Sequence, residues 1–221
     1  MAALPFHVRP SESLYFKEGG TWSAISSGKF SIRYYPKGFL FDAGGQIAVG
    51  KNVKNLIGYL NSNLFDVIAK LTMPTINYKC GVVKTLPNFS IENKELLIDK
   101  NISISKQDWD AHETSWDFLR NELLTIDEAT YADNIQYQIE KHEKETGEKI
   151  CIDPAAPELG SLAWRIEQYK LKWEKLFMQL HANEEELNRQ FIDIYGLQDE
   201  LTPDVPLDEV TILQQGEISI E

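Results

Sequence analysis

The sequence predicts an α+β fold: a mixed β-sheet lobe with a packed helix, followed by a helical, coiled-coil-like region. Three observations carry this. Residues 21–49 alternate apolar and polar side chains in short aromatic and β-branched runs, broken at Gly, Pro and Lys. From Leu56 to Leu71 apolar residues recur every three or four positions, the period of an amphipathic helix. From Leu162 to Leu187 they step alternately by four and three, a 3.5-residue repeat held for more than three heptads. The expected boundaries are a recognition lobe over 1–105 and an acidic helical region over 106–221, with the heptad helix at about 161–196.

Within the lobe, "WSAIS", "FSIRYY", "FLFDA" and "QIAVG" read as strands separated by "SGK", "PKG" and "GG". Along "KFSIRYY" the alternation sends Phe30, Ile32 and Tyr34 to one face and Ser31, Arg33 and Tyr35 to the other. "NVKNLIGYLNSNLFDVIAKLT" reads as one helix stopped by Pro74. "INYKCGVVKTLPNFSI" then reads as two short strands around a Gly81 turn or bulge, leaving at Pro87-Asn88. "IENKELLIDKNISISK" is short and mixed.

The helical region opens on "QDWDAHETSWDFLRNELL", where Asp108 and Asp110 read either as capping acids of a helix start or as a carboxylate pair. "YADNIQYQIEKHEKETGEK" is a charged helix with Ile135 and Ile139 on one face, and "PAAPELG" a linker or helix start. The heptad stripe runs Leu162, Ile166, Tyr169, Trp173, Leu176, Leu180, Asn183, Leu187, and drifts on through Phe191 and Ile194. Asn183 either sets register or sits at a solvent edge. Gly196 is a C-cap, and "EVTIL" is strand-like with nothing after it to pair with.

Charge divides the chain. The whole carries −12 over 221 residues. Residues 1–100 hold 12 Lys and Arg against 7 Asp and Glu, and residues 101–221 hold 10 against 27. A mildly basic half joined to a strongly acidic one reads either as a binding face with a spacer or as a solvated helical surface. Cys80 and Cys151 lack zinc-site spacing, and the four His are dispersed, so the cysteines read as free cytosolic thiols. No apolar run reaches the roughly 18 residues of a membrane span, and the N-terminus lacks the apolar core of a signal peptide. A cytoplasmic chain without a membrane partner is expected. GxGxxG, Walker, GxSxG and HExxH patterns are all missing, so no stand-alone enzyme is indicated.

"TWSAISSGKFSIRYYPKGFLFDAGG", "LIGYLNSNL" and "PTINYKCGVVKTLP", followed by "DWDAHETSWDF" and "LNRQFIDIYGLQDELTPDVPLDEVTI", resemble in order the target-recognition and helical spacer region of large adenine-specific DNA methyltransferases. These are the BREX-type phage-defence enzymes and the related single-chain type IIG restriction–modification enzymes. The resemblance runs from about Tyr15 to Ile212. It implies a non-catalytic part of a longer protein whose methyltransferase domain binds S-adenosylmethionine; neither that domain's glycine-rich motif nor its Asn-Pro-Pro-Tyr motif occurs here, so no cofactor is expected in this fragment. The implied partners are double-stranded DNA and the catalytic domain of the parent chain.

Reading DNA takes cations for phosphates and polar groups for base edges. Lys29, Arg33, Lys37, Lys51, Lys54, Lys79 and Lys84 supply candidates for the first, each otherwise a solvated charge. Ser26, Ser27, Arg33, Tyr35, Gln46, Asn77 and Tyr78 supply candidates for the second. Arg33 leads, because it faces away from Phe30 and Ile32 beside two tyrosines. A second reading makes the chain a protein–protein module that dimerises through the heptad helix.

Overall fold

A computed structural model describes residues 12–42, 44–73, 75–84, 95–152, 160–210 and 212. The architecture is α+β. Strands β1 (Gly19–Ser23), β2 (Arg33–Tyr35) and β3 (Gly45–Ala48) form an antiparallel sheet in the order β2-β1-β3. Helices α1 (Val53–Leu60), α2 (Asn63–Thr72), α3 (Cys80–Val83), α4 (Glu95–Asp110), α5 (Glu128–Thr146) and α6 (Leu162–Tyr195) follow. Contacts divide the chain into two units. One comprises the described residues up to Ile102 together with Glu184–Asp204, and the other comprises Ser103–Asn183 with the described residues from Val205.

The first unit is built on the sheet. Its core gathers Trp22, Phe30, Ile32, Ile57, Tyr59, Leu60, Leu64, Phe65 and Phe191. Each such side chain contributes roughly 1.5–3 kcal/mol by leaving water. Only Arg33–Tyr35 of "FSIRYY" is strand. Upstream, the Asn61 side-chain amide takes the place of a neighbouring strand: it accepts from the Ile32 N–H and donates to the Ile32 carbonyl, both at 2.9 Å. "FLFDA" is not a strand. Phe41 lies against Tyr35 with ring centroids 4.4 Å apart, and the Asp42 carboxylate turns the chain by accepting from the Gly44 and Gly45 amides.

The single helix expected over 52–72 is two. Ser62 breaks it by capping α2, its hydroxyl accepting from the Phe65 N–H at 3.2 Å, while Asn61 is drawn to Ile32. The two strands expected around Gly81 are also replaced. Asn77 makes an isolated antiparallel bridge to Ile25, and Gly81 lies inside α3, whose first amide, at Cys80, donates to Gln46 Oε1 at 3.1 Å. The expected Pro87-Asn88 exit lies outside the described residues.

In the second unit, Asp108 and Asp110 end α4 rather than start a helix. Asp110 sits one turn after Lys106, which bonds both Asp110 and Asp117, and Asp110 also accepts from the Ser115 hydroxyl. This local pairing offsets an acid's unfavourable place at a helix C-terminus. Helix α5 starts and stops as its sequence signals, with Asp127 accepting from the Thr130 amide and Gly147 in the left-handed region at φ 77°.

Along α6 the apolar stripe is covered by this chain's own residues. Trp173, Phe177 and Leu180 pack with Ile104, Val205, Val210 and Ile212 in the second unit, and Phe191 packs in the first. Leu162 and Ile194, at the ends of the expected seam, are exposed. Asn183 is buried and accepts from the Gln179 side chain at 2.8 Å. Val210 and Ile212 of "EVTIL" are buried, while Thr211 and Leu213 lie outside the described residues.

Candidate nucleic-acid interface

Where β1 leaves the sheet, it pairs with a second segment. The Tyr78 amide donates to the Ala24 carbonyl at 2.8 Å and the Ser26 amide to the Ile76 carbonyl at 3.0 Å, flanking the Ile25–Asn77 bridge. The Trp22 indole anchors the base of this ribbon by donating to the Tyr78 carbonyl at 2.8 Å, and Tyr78 stacks edge-on against Phe30 with centroids 5.1 Å apart. The result is a short two-stranded ribbon, 24–26 against 76–78, rooted in the core. Its root is held by core contacts and its tip is wet: Ile25 is 63% exposed and Ile76 55%.

The ribbon brings Ser26, Ser27 and Asn77 together. Ser26 accepts from the Gly28 amide, Ser27 and Asn77 are exposed, and the Asn77 side-chain amide makes no hydrogen bond among the described residues. Lys79 follows directly and Lys84 sits one residue past α3, both exposed. Gln46 lies below them, its amide oxygen spent on Cys80 and its carbonyl accepting from the Thr21 hydroxyl. Lys29, on the loop beyond, donates to Asn63 at 3.0 Å.

The remaining candidates lie elsewhere. The register Gly19↔Tyr35 and Ser23↔Gly45 puts Lys37, two residues past Tyr35, at the opposite end of the sheet from the ribbon. Arg33 pairs with Thr21 in mid-sheet. Its side chain is solvent-accessible, yet its guanidinium donates to the Ile32 carbonyl at 3.4 Å, and burial presses its pKa down while Glu184 works the other way. Tyr35 is buried, its hydroxyl without a partner among the described residues and its pKa raised by that burial. Lys54 is held by Asp99 at 2.6 Å, and Lys51 is exposed on the turn before α1.

One signal in the sequence marks the same place. Residues 19–41 and 67–91 contain no Asp or Glu, in a chain with 34 of them. The ribbon pairs these two acid-free stretches. Of the acids between them, Asp66 is held by Lys70 at 2.7 Å. Nothing in the sequence distinguishes the exposed isoleucines, because an apolar residue in an alternating run reads as core.

No cluster of His, Cys, Asp and Glu suited to a metal occurs among the described residues, and no described helix is long and apolar enough to cross a membrane. A cleft of about 240 Å³ in the second unit is lined by Tyr137, Lys141, His142, Ile150, Ile152 and Glu174. Glu174 is engaged by Lys141 and Tyr137, and burial beside this carboxylate pushes the Tyr137 hydroxyl up to about 12.

No family model matches the chain. It is 37% identical over 206 residues to the adenine-specific methyltransferase PglX of Lacticaseibacillus casei (strain Zhang), an alignment that covers 89% of this chain and 15% of that protein. It is 41% identical over 119 residues to the adenine-specific methyltransferase BrxX of Escherichia coli O9:H4 (strain HS), covering 52% of this chain and 10% of that protein. The chain thus spans about a seventh of PglX and a tenth of BrxX, and over that span it is similar to adenine-specific methyltransferases.

Proposed function

We propose that this chain is the DNA target-recognition part of a site-specific adenine-N6 DNA methyltransferase of a phage-defence or restriction–modification system, and that it holds DNA without transferring the methyl group. The observation that carries the reading is the pairing of the two acid-free stretches into one exposed ribbon with Lys79 and Lys84 beside it. Cations in acid-free stretches attract phosphate, and the exposed polar side chains of Ser27 and Asn77 suit base edges. The likeness to PglX and BrxX supports the same reading. S-adenosylmethionine would belong to the parent's catalytic domain, which is the expected partner of this chain.

The test is fluorescence anisotropy of the full chain with labelled duplexes at several salt concentrations. Binding that weakens steeply with salt, in the ~10⁻⁴–10⁻⁶ M range of non-specific association, supports the reading. Absence of binding at low salt to every duplex overturns it.

A protein–protein reading draws on a different surface. In the second unit Trp116 is 101% and Leu119 90% exposed. The heptad seam is a poorer candidate, since Trp173, Leu180 and Phe191 are already buried within this chain.

A further inference from the structure

We propose that Ile25 and Asn77 act as one unit that reads an A·T base pair in the major groove. The inference rests on the DNA reading of the ribbon and adds which pair the ribbon selects and how.

The geometry is that of an antiparallel ribbon. Residues 25 and 77 are bridged partners flanked by the Tyr78→Ala24 and Ser26→Ile76 hydrogen bonds, which makes them a non-hydrogen-bonded pair. In such a pair the Cα atoms lie about 4.5 Å apart and both side chains leave by the same face. An apolar branched side chain therefore stands beside a carboxamide, both exposed. Successive residues alternate, so Ser26 and Ile76 take the other face.

An A·T pair presents the matching edge. Adenine offers the N7 acceptor and the N6 amino donor, which one carboxamide satisfies with two hydrogen bonds, and thymine offers its methyl group to apolar contact. A G·C pair offers neither the acceptor–donor couple on its purine nor a methyl. The major groove admits a two-stranded ribbon, and Lys79 and Lys84 supply exposed cations close in the chain to Asn77 for the flanking phosphates. A thymine methyl in the groove offers the exposed Ile25 side chain an apolar contact.

The experiment selects duplexes with a randomised core on the intact 221-residue chain and on Ile25→Ser and Asn77→Ala variants, then measures affinities by anisotropy. The wild-type chain should enrich duplexes sharing an A·T pair. Replacing its thymine by uracil should weaken binding about fourfold, the worth of one buried methyl. Ile25→Ser should bind the thymine and uracil duplexes alike. Asn77→Ala should lose about tenfold and accept other pairs at that position. Both side chains are exposed, so thermal unfolding of the variants should match the parent and serves as the folding control. If both variants enrich the same duplexes as wild type with the same uracil response, the inference is overturned while the DNA reading stands. If wild type retains no duplex at low salt, the DNA reading falls and takes the inference with it.

Discussion

Asn61 shows how much one side chain can hold. Its amide satisfies both backbone groups of Ile32, a residue sealed in the core. Asn61→Ala should lower stability by about 1–3 kcal/mol in urea denaturation, because it strands the Ile32 N–H and leaves the Ile32 carbonyl only the longer bond from Arg33. Tyr35 predicts the reverse. Its buried hydroxyl has no partner among the described residues, so Tyr35→Phe should leave stability unchanged or raise it by up to about 1 kcal/mol, with DNA affinity unaffected. Tyr137 gives a pH test. Its pKa rises to about 12, chiefly through burial and then through Glu174. Between its ordinary value of about 10 and 12 the folded state keeps a proton that the unfolded state releases, so stability falls as pH rises through that window. Thermal melts from pH 9 to 12 should show this loss, and it should be smaller in Tyr137→Phe.

Among the elements, helix breaks mattered more than helix propensity. The apolar period runs unbroken from α1 into α2, which is why one helix is expected; the Ser62 hydroxyl decides otherwise by accepting from Phe65. Ser62→Ala should cost about 1 kcal/mol in chemical denaturation. The α6 stripe was legible as an amphipathic seam, but periodicity does not say what covers it. Here Ile104, Val205 and Val210 do so in the second unit. Segment 80–84 is helical although β-branched Val82 and Val83 favour strand, because the Gln46 side chain offers the first amide of the helical turn its acceptor.

Across the whole molecule the charge split sets the long-range field. The −12 net charge repels DNA, so the proposed binding through the ribbon requires a local cationic edge. Each phosphate contact contributes about −0.9 to the slope of log K against log salt. Replacing Lys79 and Lys84 together by Ala should therefore flatten that slope by up to about 2 units. Lys37→Ala, at the other end of the sheet, should leave the preference among duplexes unchanged. Anisotropy titrations at four salt concentrations, about 50–200 mM, would read both.

The α+β class, a charged helix at α5, and the end of α6 at Gly196 were written in the sequence, because period and a C-capping glycine are local and need only a few consecutive residues. The basic, acid-poor character of the front half was equally local. What tertiary structure decided is which of those residues meet. Residues 25 and 77 are 52 positions apart, and only the anchoring of Tyr78 by Trp22 and Phe30 makes them neighbours. Likewise Tyr35 shares a face with exposed Ser31 and Arg33 yet is buried, because Phe41 packs against it. Pairing across such distances depends on closing a long loop against a core, and no short window of sequence encodes that.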